Sequence, residues 1–149
     1  MTAVRWRVLI VAAALVAVAL LAVGSLRREP RPPPPPTGQA EDTVVLGPVT
    51  ANDRGIEDVA GMQEAAVEAG DFYFEPTVLT GERGAGLRLE VTSTSAARHT
   101  VTSAELGVDR DVPPGGTVTL QVTFPEEGIL VFFCRYHQDR GMAGALVGG

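Results

Sequence analysis

Between Val118 and Val147 the chain is committed to β-structure. Val118, Leu120, Val122 and Phe124 alternate with Thr119, Gln121 and Thr123, the period-two pattern of a strand with one buried face. Ile129 to Phe133 is then apolar throughout, which suits a strand covered on both faces. Ala143 to Val147 supplies a short final strand. Upstream, Leu87, Leu89 and Val91 alternate with Arg88, Glu90 and Thr92, and Phe72 and Phe74 alternate with Tyr73 and Glu75 until Pro76 stops the run. Val101 sits in a Thr-rich run, and Pro113-Pro114-Gly115-Gly116 reads as a turn. About seven short strands with turns between them predict an all-β fold, a β-sandwich. No internal repeat is visible.

The N-terminal part follows other rules. Arg5 and Arg7 precede an unbroken apolar run from Val8 to Val23, continued by Gly24, Ser25 and Leu26. At ~1.5 Å per residue such a helix nearly matches a hydrocarbon core of ~30 Å. It also fits a long secretory signal, with Ala22-Val23-Gly24 before Ser25 as a cleavage site. No cysteine follows the run, so a lipid-modified cysteine anchor is excluded. Arginines flank both ends, so charge gives no orientation. Residues 1–26 are therefore expected to be a signal peptide or membrane anchor. Glu29 to Gln39 contains Pro30 and the run Pro32 to Pro36, which favours extended, semi-rigid polyproline II. A stiff spacer makes most sense if the apolar segment stays in the membrane. Residues 27–62 read as a Pro-rich and acidic linker, with Ile56, Val59, Ala60 and Gln63 marking at most one helical turn. Ala65 and Val67 hint at a strand opening the domain, placed at 63–149.

Charge supports this division. Residues 1–40 carry +4, residues 41–70 carry -6 and residues 71–149 carry -4, for a total of -6 over 149 residues. All 12 basic residues are arginine. An acidic folded part argues against nucleic-acid binding, which calls for a basic stripe. The single cysteine, Cys134, allows no internal disulfide. With only His99 and His137, no site needing three imidazoles can form.

The chemistry is concentrated in Phe132-Phe133-Cys134-Arg135-Tyr136-His137-Gln138-Asp139-Arg140-Gly141-Met142. A thiolate, an imidazole and a thioether follow directly on a strand, where a loop to the next strand folds them around one point. Thiolate and two imidazoles with a long axial methionine form the ligand set of a blue-copper site. His99, in Arg98-His99-Thr100-Val101 at a strand edge, is the only other imidazole. Each residue alone has a plainer reading: a buried small hydrophobe, a satisfied histidine, a packing methionine. Those readings weaken when the only cysteine and both histidines fall into one arrangement. Zinc suits Cys and His too, but has little use for a thioether.

At these residues the sequence resembles the cupredoxins, the plastocyanin-like branch in particular. The spacing Cys134-x2-His137-x4-Met142 and the run from His137 to Gly144 carry the resemblance. So do Phe72 to Pro76, His99-Thr100-Val101, and Pro114-Gly115 before Thr117 to Leu120; together they span roughly residues 64–149. The resemblance implies a Greek-key β-sandwich holding one copper ion that cycles between Cu(I) and Cu(II). His99, Cys134 and His137 would be equatorial ligands and Met142 the axial one. Thr100 would give a backbone N–H to the Cys134 sulfur, and one ring edge of His137 would be the electron's exit. Phe132 and Phe133 would exclude water near the sulfur. The chain departs from the family pattern at Arg98 and Tyr136, where proline is usual, and at Asp139 and Arg140, where residues are usually small. The surface around His137 is thus more charged than the apolar patch the family presents.

The expected function is a blue-copper protein carrying single electrons between redox partners outside the cytoplasmic membrane, anchored there or secreted, as a monomer. A copper-handling module, chaperone or reservoir, is the alternative, and the lack of Met-rich or His-rich tracts counts against it. A structural sandwich with incidental copper is a third. A binuclear copper centre needs a second cysteine in the loop, and nitrite reductases and multicopper oxidases need further histidines and domains. No substrate-turnover site is expected, so the domain is not read as an enzyme.

Overall fold

The computed structural model describes residues 42–149. The apolar run 8–26 and the proline run lie outside the described residues. Twelve strands follow in order. A hairpin of β1 (Thr43–Leu46) and β2 (Val49–Asn52) turns over Gly47, whose φ of 59° suits glycine. Next come β3 (Ile56–Asp58), β4 (Glu64–Gly70), β5 (Tyr73–Glu75), β6 (Val78–Gly81) and β7 (Gly86–Ser93). The chain continues with β8 (His99–Ser103), β9 (Val108–Val112), β10 (Thr117–Thr123) and β11 (Ile129–Phe133). A short 3-10 turn, Gln138–Arg140, precedes β12 (Ala143–Gly148).

Two sheets form the sandwich. One has the order β10-β7-β4-β5 and the other β3-β6-β12-β11-β8-β9. The alternation read in β7 and β10 is explained by their antiparallel register, which sets Leu87 opposite Val122, Leu89 opposite Leu120 and Val91 opposite Val118. Their inward side chains meet Phe74, Leu79, Val101, Phe132 and Leu146 in one buried cluster. Burying each such side chain contributes roughly 1.5–3 kcal/mol before conformational entropy is subtracted.

The stretch expected to be linker departs from its reading. Residues 43–58 hold three strands, and Ile56 opens β3, which runs parallel to β6, instead of a helical turn. The hairpin β1-β2 lies on the outer face of the six-stranded sheet. Leu46 and Ala51 are buried there with Val78, Ala143 and Ala145, and Ile129, Val131 and Phe133 pack against them. That cover explains why β11 is apolar on both faces: Phe132 faces the main core, and Phe133 faces the hairpin.

Candidate metal centre

Three connections converge at one end of the sandwich. β8 begins at His99, β11 ends one residue before Cys134, and β12 begins one residue after Met142. β8 and β11 are antiparallel, with Phe133 opposite Thr102, so the start of β8 lies beside the end of β11. Sheet pairing therefore brings together two residues far apart in sequence. The loop then returns: the Cys134 N–H donates to the Met142 carbonyl (3.0 Å), the His137 N–H to the Cys134 carbonyl (3.1 Å) and the Met142 N–H to the His137 carbonyl (3.2 Å). Gly141, with φ of 81°, makes the left-handed step that closes it.

The ligand atoms of His99, Cys134 and His137 all lie within 4.8 Å of one another. Nδ1 of His99 is 3.9 Å from the Cys134 sulfur and Nδ1 of His137 is 3.4 Å from it. Both imidazoles thus turn the same ring nitrogen toward the thiol. Cys134, His99 and Met142 are completely buried, and His137 is half-buried. Met142 shares the core cluster with Cys134 and Phe132. The Thr100 N–H donates to the Cys134 sulfur at 3.4 Å, the contact implied by the family resemblance. Phe132 shares the core with the sulfur, whereas Phe133 turns to the opposite face of β11 and shields the hairpin side instead.

The surroundings fix the two rings differently. Ser95 Oγ lies 2.6 Å from Nε2 of His99 and also accepts the Ala97 N–H at 3.0 Å. A hydrogen bond at Nε2 fixes the ring orientation and leaves Nδ1 turned to the sulfur, and when His99 binds a metal through Nδ1 the proton is on Nε2 with the Ser95 oxygen accepting it. Burial holds the His99 pKa below its ordinary value, helped by the nearby His137 and opposed by Asp71. A neutral imidazole is the form that binds a metal. Around His137 the neighbours are rings: Phe72 and His99 edge-on at 5.1 Å each, and Tyr136 at 6.3 Å. The Arg140 guanidinium sits 4.3 Å from the Phe72 ring centre. Arg135 bonds Asp109 on β9 (2.7 Å) and pairs with Asp111. Ser95 carried no signal in the sequence, because one side-chain hydrogen bond leaves no periodic trace.

This donor set fits copper. A buried thiol with one N–H donor and two imidazoles turned to it form a soft, nearly dry pocket for one ion, with the Met142 thioether buried in the same core cluster. Zinc would leave the thioether unused.

The family model of the cupredoxin-like domain matches residues 43–147. A halocyanin of Natronomonas pharaonis is 26% identical over 121 residues, covering 77% of this chain and 74% of that protein. Among solved structures, a chain of a haem-copper terminal oxidase dimer aligns over 97% of this chain and 95% of its own, at 15% identity and TM-score 0.51. The metal-binding domain of the Cu(I)-exporting P-type ATPase CopA of Streptococcus pneumoniae D39, solved with Cu(I), aligns over 64% of this chain and 97% of its own. Its identity is 15% and its TM-score 0.53. The structural likenesses show a shared fold; the match of the family model over most of the chain shows more. The chain belongs to the cupredoxin-like domain family, and the cofactor that its ligand set suits is one copper ion.

Proposed function

We propose that this protein carries single electrons between redox partners outside the cytoplasmic membrane, holding copper with His99, Cys134, His137 and Met142. Bound copper would supply a one-electron couple between Cu(I) and Cu(II). The residues' part is to keep the cage still while the charge changes. His99 is set by a sheet and by Ser95, and Cys134 by the end of β11 and the Thr100 N–H. The main-chain bonds between Cys134, His137 and Met142 tie the remaining ligands to the same frame. The one observation that carries the reading is the buried sulfur with two imidazole Nδ1 atoms turned to it and a single N–H donor. Few hydrogen bonds and a dry shell around the sulfur tune a potential. The half-buried ring of His137 gives the electron its way out.

Among the described residues no helix is long and apolar enough to cross a membrane. The proposed tether is the run Val8 to Leu26, with the proline run as spacer, and the proposed partners are redox proteins. The neighbouring charges of Arg135, Asp139 and Arg140 favour a polar docking partner over an apolar one.

A visible absorption spectrum of the full-length chain with Cu(II) tests the reading, with Cys134→Ser as control. An intense blue thiolate-to-copper band, lost in the variant, is expected. Met142→Gln is expected to keep copper and lower the reduction potential. A colourless chain that takes up Cu(I) would replace electron carriage with copper handling, and an unchanged potential would remove Met142 from the site.

A further inference from the structure

We propose that Asn52 is a positioning residue of the metal centre, clamping the loop that carries His137 and Met142 to the turn that carries Phe72. Asn52 ends β2 and is nearly buried, with 7% of its surface exposed. Both hydrogens of its amide are used: Nδ2 donates to the Phe72 carbonyl at 2.8 Å and to the Arg140 carbonyl at 2.9 Å. Its backbone N–H donates to the Gly141 carbonyl at 2.9 Å. Asn52 therefore holds the two carbonyls immediately before Met142. Its own carbonyl accepts from Thr77 Oγ1 at 3.0 Å, which anchors the clamp to the start of β6.

The second half of the clamp bears on His137. Phe72 has φ of 70°, a left-handed conformation that costs a bulky residue energy and persists only where its surroundings hold it. Held that way, its ring stands edge-on to His137 on one side and under Arg140 on the other. Gly141 completes the fit, since a Cβ there would lie 2.7 Å from Asn52 Oδ1. One carboxamide thus fixes the approach to Met142 directly and the ring packing of His137 through Phe72. A residue that only fastened the hairpin would have no need to reach two carbonyls on separate segments.

This inference rests on the copper reading for its consequence, but the clamp is testable without copper. Amide hydrogen exchange of the metal-free full-length chain is compared for wild type, Asn52→Ala and Leu120→Ala, the last a core truncation on the far sheet. With two hydrogen bonds removed, exchange at residues 137–142 should quicken about tenfold or more in Asn52→Ala, with β7 and β10 unchanged. Leu120→Ala should not single out that loop. Loaded with Cu(II), Asn52→Ala should shift the absorption band and the reduction potential, and Leu120→Ala should leave both in place. Loop exchange at the wild-type rate, or an equal spectral shift in Leu120→Ala, would overturn the proposal. If Asn52→Ala does not fold, Asn52→Ser, which keeps one shorter donor, should exchange faster than wild type at residues 137–142; unchanged loop protection there would overturn the proposal too. A wild-type chain that takes up no copper would sink the copper reading alone, since exchange still decides the clamp.

Discussion

The two histidines of the centre are held in opposite ways. His99 starts a strand, is completely buried and has its outer nitrogen against Ser95. His137 rides on a loop, is half-buried and is held by aromatic edges and main-chain bonds. The first is a fixture of the sheet, and the second is the place where the centre meets the outside. A carrier needs both properties, since a ligand cage that moved would slow the electron and one with no exposed edge would trap it.

Glycine substitutions would break the comparison most sharply. His137→Gly opens a slot at the surface, so added imidazole should restore the copper band. His99→Gly opens one inside the fold, and added imidazole should restore little or nothing. Equal rescue, read by titrating imidazole into each Cu(II)-loaded variant, would erase the distinction. A smaller effect is expected from Ser95→Ala, which removes the hydrogen bond at His99 Nε2. Copper should stay bound while affinity falls about tenfold, the low end for losing an outer-shell partner. An unchanged affinity in a competition titration would show that burial alone holds the ring.

The smallest expected effect is on pH. The folded pKa of His99 lies below its ordinary value of 6.5, chiefly through burial. The unfolded chain therefore takes up a proton before the folded chain does, and metal-free stability falls as pH drops below about 6.5. Denaturant midpoints against pH should show a shallower acid slope in His99→Gln. An identical slope would remove His99 as the cause.

Much of the sandwich was legible because its central strands are long enough to show a period. β7 and β10 each pass several residues to the core, and β11 and the His99 strand stand where the pattern put them. That His99, Cys134 and His137 would come together was legible for another reason: the chain has few thiols and imidazoles to choose from. β6 and β9 were not read as strands, and neither were β1 to β3. Strands β1 to β3 are three or four residues long, and every residue of β3 is exposed, with Glu57 and Asp58 among them. Such segments offer too few positions for alternation to stand out from an acidic loop. Ser95 and Asn52 escaped for the reason that side chains bonding to single backbone groups or to one ring carry no periodicity. Asn52-Asp53-Arg54-Gly55 looks like turn chemistry, and only the fold shows where that amide points.

The hairpin β1-β2 also bears on whether copies of this chain keep apart. Beneath it lie Ile129, Val131, Phe133 and Val147, side by side with Val78, Ala143 and Ala145. Without those ten residues these side chains would form an exposed apolar face, the kind of surface on which two molecules associate. Solubility at high concentration is thus tied to a segment whose own sequence reads as filler. Any shortened version of the protein should begin before Thr43.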